Sequence, residues 1–155
     1  MSRMFGLLTV AVLAALTLAV FVLSGTAGAA SETISGRGVL YARGSGTAEV
    51  SGDGRVDIRG LGAGTVLVCG AERLEAQGYG RRFDLPGGCV RFVGWKGSIH
   101  AAGEDMTVRM EGSSIQFRAA GEGTAVLKGH GQFRVGHHTG QWTEEGVTIV
   151  FAPAG

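Results

Sequence analysis

Residues 36–70 read GRGVLYARGSGTAEVSGDGRVDIRGLGAGTVLVCG, and every even-numbered position in that run is glycine or an apolar residue. The odd positions include Arg37, Arg43, Glu49, Asp53, Arg55, Asp57 and Arg59. A period of two held over 35 residues separates an apolar from a polar face in a β-strand, which a helix does not do. A second period lies on top of it, because Gly-x-Gly recurs at 36–38, 44–46, 52–54 and 60–62, eight residues apart.

This repeat fits three all-β architectures. In the leading one each Gly-x-Gly is a three-residue hairpin loop. The flanking residues i and i+4 then share a parity, and the even set stays on one side of a glycine-rich antiparallel meander, sandwich or barrel-like sheet. In the second, the strands run through the glycines, which act as kinks in a curved sheet. In the third, each eight-residue unit is one side of a narrow β-solenoid. All three pack the even glycines, so enlarging Gly54 or Gly62 to valine is expected to be costly.

Toward the N-terminus, Arg3 precedes an uncharged run from Met4 to Leu23, MFGLLTVAVLAALTLAVFVL. It is longer than a usual signal h-region and close to the roughly 20 residues that span a bilayer. Small residues follow, and Ala27-Gly28-Ala29 fits a cleavage site. Residues 1–30 therefore read as a hydrophobic helix that is either a signal peptide or an N-terminal membrane anchor through residues 4–23. Either fate places residues 31–155, a single β domain, outside the cytoplasm. Removing Arg3 from the 14 Lys plus Arg leaves 13 against 13 Asp plus Glu, a neutral domain. Its charges alternate in sign along the polar face, as expected of a solvated sheet surface, and no basic stripe points to nucleic acid.

Toward the C-terminus, Cys69 and Cys89 are the two cysteines, and in an oxidising compartment they are expected to form a disulfide. Cys69 is odd in parity, so something is expected to cover the outer side of its strand. The segment AERLEAQ, 71–77, continues the alternation and is read as strand, and Pro86-Gly87-Gly88 is a turn. Aromatics then appear among cations, and Arg91, Trp95 and Lys96 are the candidate recognition surface. Phe92, Trp95, Phe117 and Phe133 are alternatively core, or the lining of a small-molecule or lipid-binding β-barrel. The inward set changes parity near Ser113-Ser114, which a bulge or two-residue turn would produce. The repeat then returns as GEG at 121–123 and GHG at 129–131, and VTIVF at 147–151 reads as a terminal strand.

Chemistry is sparse. Gly-x-Ser-x-Gly is absent, and Gly60-Leu61-Gly62-Ala63-Gly64 lacks the following helix that a dinucleotide fingerprint needs. Glu49, Asp53 and Asp57 alternate with arginines and do not converge as calcium ligands would. If residues 129–131 are a loop, His130 is separated from His137 and His138 by a strand of about 17–20 Å. A metal would then need His100 or Glu144 as well. No catalytic residue, cofactor or specific partner is assigned. The function expected is a non-enzymatic structural or recognition module with a protein or cell-envelope partner, and metal binding is a further alternative.

Overall fold

The computed structural model describes residues 31–155, and the expected N-terminal helix and its cleavage site lie outside them. Among the described residues no helix is long and apolar enough to cross a membrane. The strands are β1 Glu32–Arg37, β2 Leu40–Arg59, β3 Gly64–Cys69, β4 Arg73–Leu85, β5 Cys89–Val135, β6 His138–Gln141 and β7 Val147–Ala152. All belong to one sheet that does not close on itself. Pairing is antiparallel except between β1 and β7.

The leading expectation for the glycine repeat is corrected here. Strand β2 is 20 residues long and runs unbroken through Gly44-Ser45-Gly46 and Gly52-Asp53-Gly54, so these units are not hairpin loops. The register shows what they do. Leu40 is paired with both Ala119 and Val135, 16 residues apart, and Ala119 is paired with both Leu40 and Val56, again 16 apart. Residues 116–119 therefore lie between the two ends of β2, bonded to Leu40–Arg43 along one edge and to Val56–Arg59 along the other. A strand whose ends sit two places apart in one sheet has coiled through a full turn. Each eight-residue unit is one wall of the coil, as the solenoid alternative required. The neighbour, however, is antiparallel β5 and not the next turn of the same strand, so the architecture is a wound hairpin and not a solenoid.

Two walls result. One runs in the order β6, 132–135, 40–43, 116–119, 56–59, 98–102 and 73–77. The other runs β1, β7, 123–127, 47–52, 106–111, β3, 89–93 and 81–85. Inward residues of the first wall, such as Leu40, Ile58, Ile99 and Phe117, join those of the second, such as Val50, Val68, Met110 and Ile149, in one buried core. The terminal strand contributes Val147, Ile149 and Phe151 to it. Since the sheet does not close, the barrel-like form of the expectation is not what the chain adopts.

Between the walls the chain turns sharp corners, where strands bend from one layer into the other. Gly54 and Gly121 show the constraint. A Cβ built on either would stand 2.9 Å from the other's Cα, closer than real Cβ contacts allow. Their φ values are 136° and 124°, a region that L side chains rarely adopt. Along the 116–135 segment of β5 the register with β2 stays constant, so such facing glycines turn the corner without an added residue.

Along the earlier part of β5 each corner takes one extra residue. Gly44 and Gly46 face Ile115 and Gly112, which places a bulge at Ser113-Ser114. That bulge produces the parity change read in the sequence. Two more went unread. Gly52 and Gly54 face Met106 and Gly103, leaving Glu104-Asp105 as a bulge, and Tyr79 and Arg81 face Lys96 and Val93, leaving Gly94-Trp95. Asp105 has φ 50°, a left-handed conformation that aspartate tolerates, and its N–H donates to Asp53 Oδ1 at 2.8 Å.

Cys69 and Cys89 are bonded, as expected. They are directly opposed partners on adjacent strands, with Cα atoms 4.1 Å apart. The bond lies on the outer face of the sheet itself, so no covering layer is needed, contrary to the sequence expectation. Of the expected strand 71–77, Arg73 to Gln77 lie in β4 and Ala71 and Glu72 precede it, and Pro86-Gly87-Gly88 forms the three-residue turn that opposes Leu85 to Cys89.

Two expectations follow for stability. Gly54→Ala and Gly121→Ala should each cost about 2 kcal/mol or more through strain and overlap. Gly62→Ala should cost little, because Gly62 lies between strands and a Cβ there would meet only the flexible Lys96 side chain, its Cε at 3.3 Å. This corrects the earlier expectation for Gly62. Denaturant unfolding checks all three, and equal midpoints would contradict the close approach. Reducing the disulfide should lower stability by about 3 kcal/mol on the chain-entropy model, read as a lower unfolding midpoint with reductant present.

Candidate functional site

The winding brings together outward side chains that are far apart in the chain. Across the first wall, Arg134, Tyr41, Arg118, Asp57, His100 and Glu75 are successive directly opposed partners on six neighbouring strand segments. The adjacent row is Gln132, Arg43, Gln116, Arg59, Ser98 and Gln77. On the other side Arg55 and Arg73 flank Ala102. Six arginines thus share one outer face, whose strand segments carry only Asp57 and Glu75 as acids. The expectation of evenly mixed charge is corrected. Neutrality is a sum over distinct regions, for Asp53, Glu104, Asp105 and Glu122 gather at one corner.

Asp57 organises the centre of the face. Its side chain is 18% exposed, and its Oδ2 stands 3.3 Å from Arg55 Nε and 3.9 Å from Arg118 Nη1. Its Oδ1 accepts from His100 Nδ1 at 2.7 Å, and since an ionised carboxylate has no proton to give, Nδ1 is the protonated nitrogen. One carboxylate thereby holds two guanidinium groups and an imidazole in place. Arg118 and Arg134, on the strands flanking Tyr41, lie over its ring at 5.8 and 5.0 Å. These are cation–π contacts, and Arg118 in addition turns Nη1 toward Asp57 while its Nε is buried.

Tyr41 lines two adjoining clefts. One, of about 540 Å³, is bounded by Arg55, Asp57, Arg59, His100, Gln116 and Arg118. The other, of about 850 Å³, is bounded by Arg43, Gln116, Gln132, Arg134 and Thr139. Such a surface offers forked donors, amides and a single aromatic platform.

The residues singled out from sequence are not assembled on this face. Trp95 packs against the core, edge-on to Phe92 with ring centroids 5.1 Å apart. Arg91 lies over Phe83 on the second wall, whereas Lys96 lies over Tyr79 beside the Gly94-Trp95 bulge. Phe92, Phe117 and Phe133 are buried in the core. His130 sits in a strand and not a loop, and its Nδ1 is 2.9 Å from Glu144 Oε1. His100 belongs instead to the arginine face, and His137 and His138 are exposed at the turn into β6. Among the described residues no three His, Cys, Asp or Glu side chains are grouped as a metal site. Sequence reasoning missed the arginine face. Its available signal was that Arg43, Arg55 and Arg59 share the outward parity of β2.

Tyr41 is expected to stiffen this face through its ring and not its hydroxyl. Tyr41→Phe should leave stability unchanged, and Tyr41→Ala should cost about 1 kcal/mol of cross-strand and cation–π contact. Chemical denaturation compares them, and an alanine variant as stable as the phenylalanine variant would contradict the contact.

Searches against protein-family models, curated proteins and solved structures found no match for this chain.

Proposed function

We propose that residues 31–155 form a non-enzymatic recognition module that acts outside the cytoplasm and is either tethered through residues 4–23 or released. The observation that carries the reading is the outer face that gathers Arg43, Arg55, Arg59, Arg73, Arg118 and Arg134 with Tyr41 and three glutamines in a neutral domain. No two of these arginines are directly opposed, but six of them against Asp57 and Glu75 leave the face with an excess of positive charge that its own side chains do not balance. The arrangement has a use if a ligand supplies the missing negative charge. Export is supported by the uncharged run of residues 4–23 and by the Cys69–Cys89 bond, which suits an oxidising compartment. The partner expected is material of the cell envelope.

The full-length protein purified in detergent, mixed with insoluble envelope material from its own cells, should sediment with it. The double variant Arg118→Gln/Arg134→Gln should keep the wild-type circular dichroism and remain in the supernatant. A folded variant that sediments as the wild type does would contradict the reading.

A further inference from the structure

We propose that the ligand of the arginine face is an extended acidic polysaccharide, a chain of sugars bearing carboxylates at regular intervals. The inference rests on the recognition reading above and names its chemistry. Its basis is spacing. Along the first row Arg134 and Arg118 are two strands apart, as are Arg43 and Arg59 in the second and Arg55 and Arg73 in the third. Adjacent strands are about 4.8 Å apart, so the two arginines of each row stand about 10 Å apart. Between them stand uncharged groups, Tyr41 in the first row and Gln116 in the second.

An alternation of cation and neutral hydrogen-bonding group matches a two-fold uronate chain, in which every second carboxylate faces the same side with hydroxyl-bearing sugar surface between. The guanidinium fork donates two parallel hydrogen bonds to a carboxylate. Glutamine amides both donate and accept, which suits hydroxyls. Tyr41 carries Arg118 and Arg134 over its ring and is 41% exposed between the two clefts, so its phenol edge and hydroxyl are what it offers a sugar hydroxyl.

Nucleic acid fits less well. A duplex carries one charge per about 1.7 Å of axis and would press phosphates against Asp57 and Glu75, which lie within the same row as Arg118. A single strand binds through successive aromatic platforms, and Tyr41 is the aromatic side chain in these rows.

The test uses the full-length protein in detergent with four probes: polygalacturonate, an uncharged galactan of similar length, inorganic polyphosphate, and single-stranded DNA. Isothermal titration should show binding to polygalacturonate that weakens with added salt and exceeds binding to the other three. Arg118→Gln and Arg43→Gln should each weaken it about tenfold, since a charged hydrogen-bonding partner is lost, while Arg109→Gln on the opposite wall should leave it unchanged. Galactan bound as tightly as polygalacturonate would overturn the need for carboxylates. Polyphosphate or DNA bound as tightly or more tightly would overturn the choice of an acidic sugar. No binding to polygalacturonate, with arginine-dependent sedimentation on envelope material intact, would overturn this inference and leave the recognition reading standing. Loss of both would end both.

Discussion

The fold depends on two backbones passing closer than any side chain permits. At Gly54 and Gly121 each α-carbon stands 2.9 Å from where the other residue's Cβ would be, so the facing glycines are a steric requirement of the corner. Remove that approach and β2 has no way to bend from one wall to the next while keeping its ladder with β5. The rest follows from bending twice. After two corners β2 returns to its starting wall, residues 116–119 fill the gap between its ends, and apolar residues that alternate along a strand come to line one interior.

The two edges of β2 solve the corner differently. Against residues 116–135 the register is constant, and glycine faces glycine. Against the earlier part of β5 the register slips by one at Ser113-Ser114 and again at Glu104-Asp105, and β4 imposes a third slip at Gly94-Trp95. A bulge bends the strand and increases its twist at the expense of one unpaired residue. It also reverses which parity points inward. This is why Phe92, Ile99, Val108 and Phe117, all buried, alternate between even and odd from one bulge to the next.

Much of this was legible in the sequence. The strand period and inward set of β2, the strand character of 73–77, the disulfide, and the parity change at Ser113-Ser114 were legible from parity and residue type, though parity alone did not choose between a bulge and a two-residue turn there. The course of the chain does not, because a period of eight is satisfied equally by a hairpin loop and by a corner within a strand. Both preserve parity, and the difference lies in which segment pairs with which. The bulges at Gly94-Trp95 and Glu104-Asp105 were hidden for a related reason, since glycines and charged residues there interrupt the apolar alternation that would have revealed a slip. Of the arginine face, only the shared outward parity of Arg43, Arg55 and Arg59 was legible, for the same cause. Arg118 and Arg134 are remote from Tyr41 in sequence, and only a wound hairpin makes them its two neighbours. A neutral composition concealed a segregated surface.

The winding is therefore the claim on which both the core and the binding face rest. Its most direct measurement is a nuclear Overhauser spectrum of the folded protein, assigned across residues 40–59 and 116–119. The wound hairpin places backbone protons of Phe117 and Arg118 next to those of Ala42 and Tyr41 on one side and of Asp57 and Ile58 on the other. Cross-peaks to both sets are the expected result. Cross-peaks to one set alone would mean that residues 116–119 border a single pass of β2, and the coiled architecture would be contradicted.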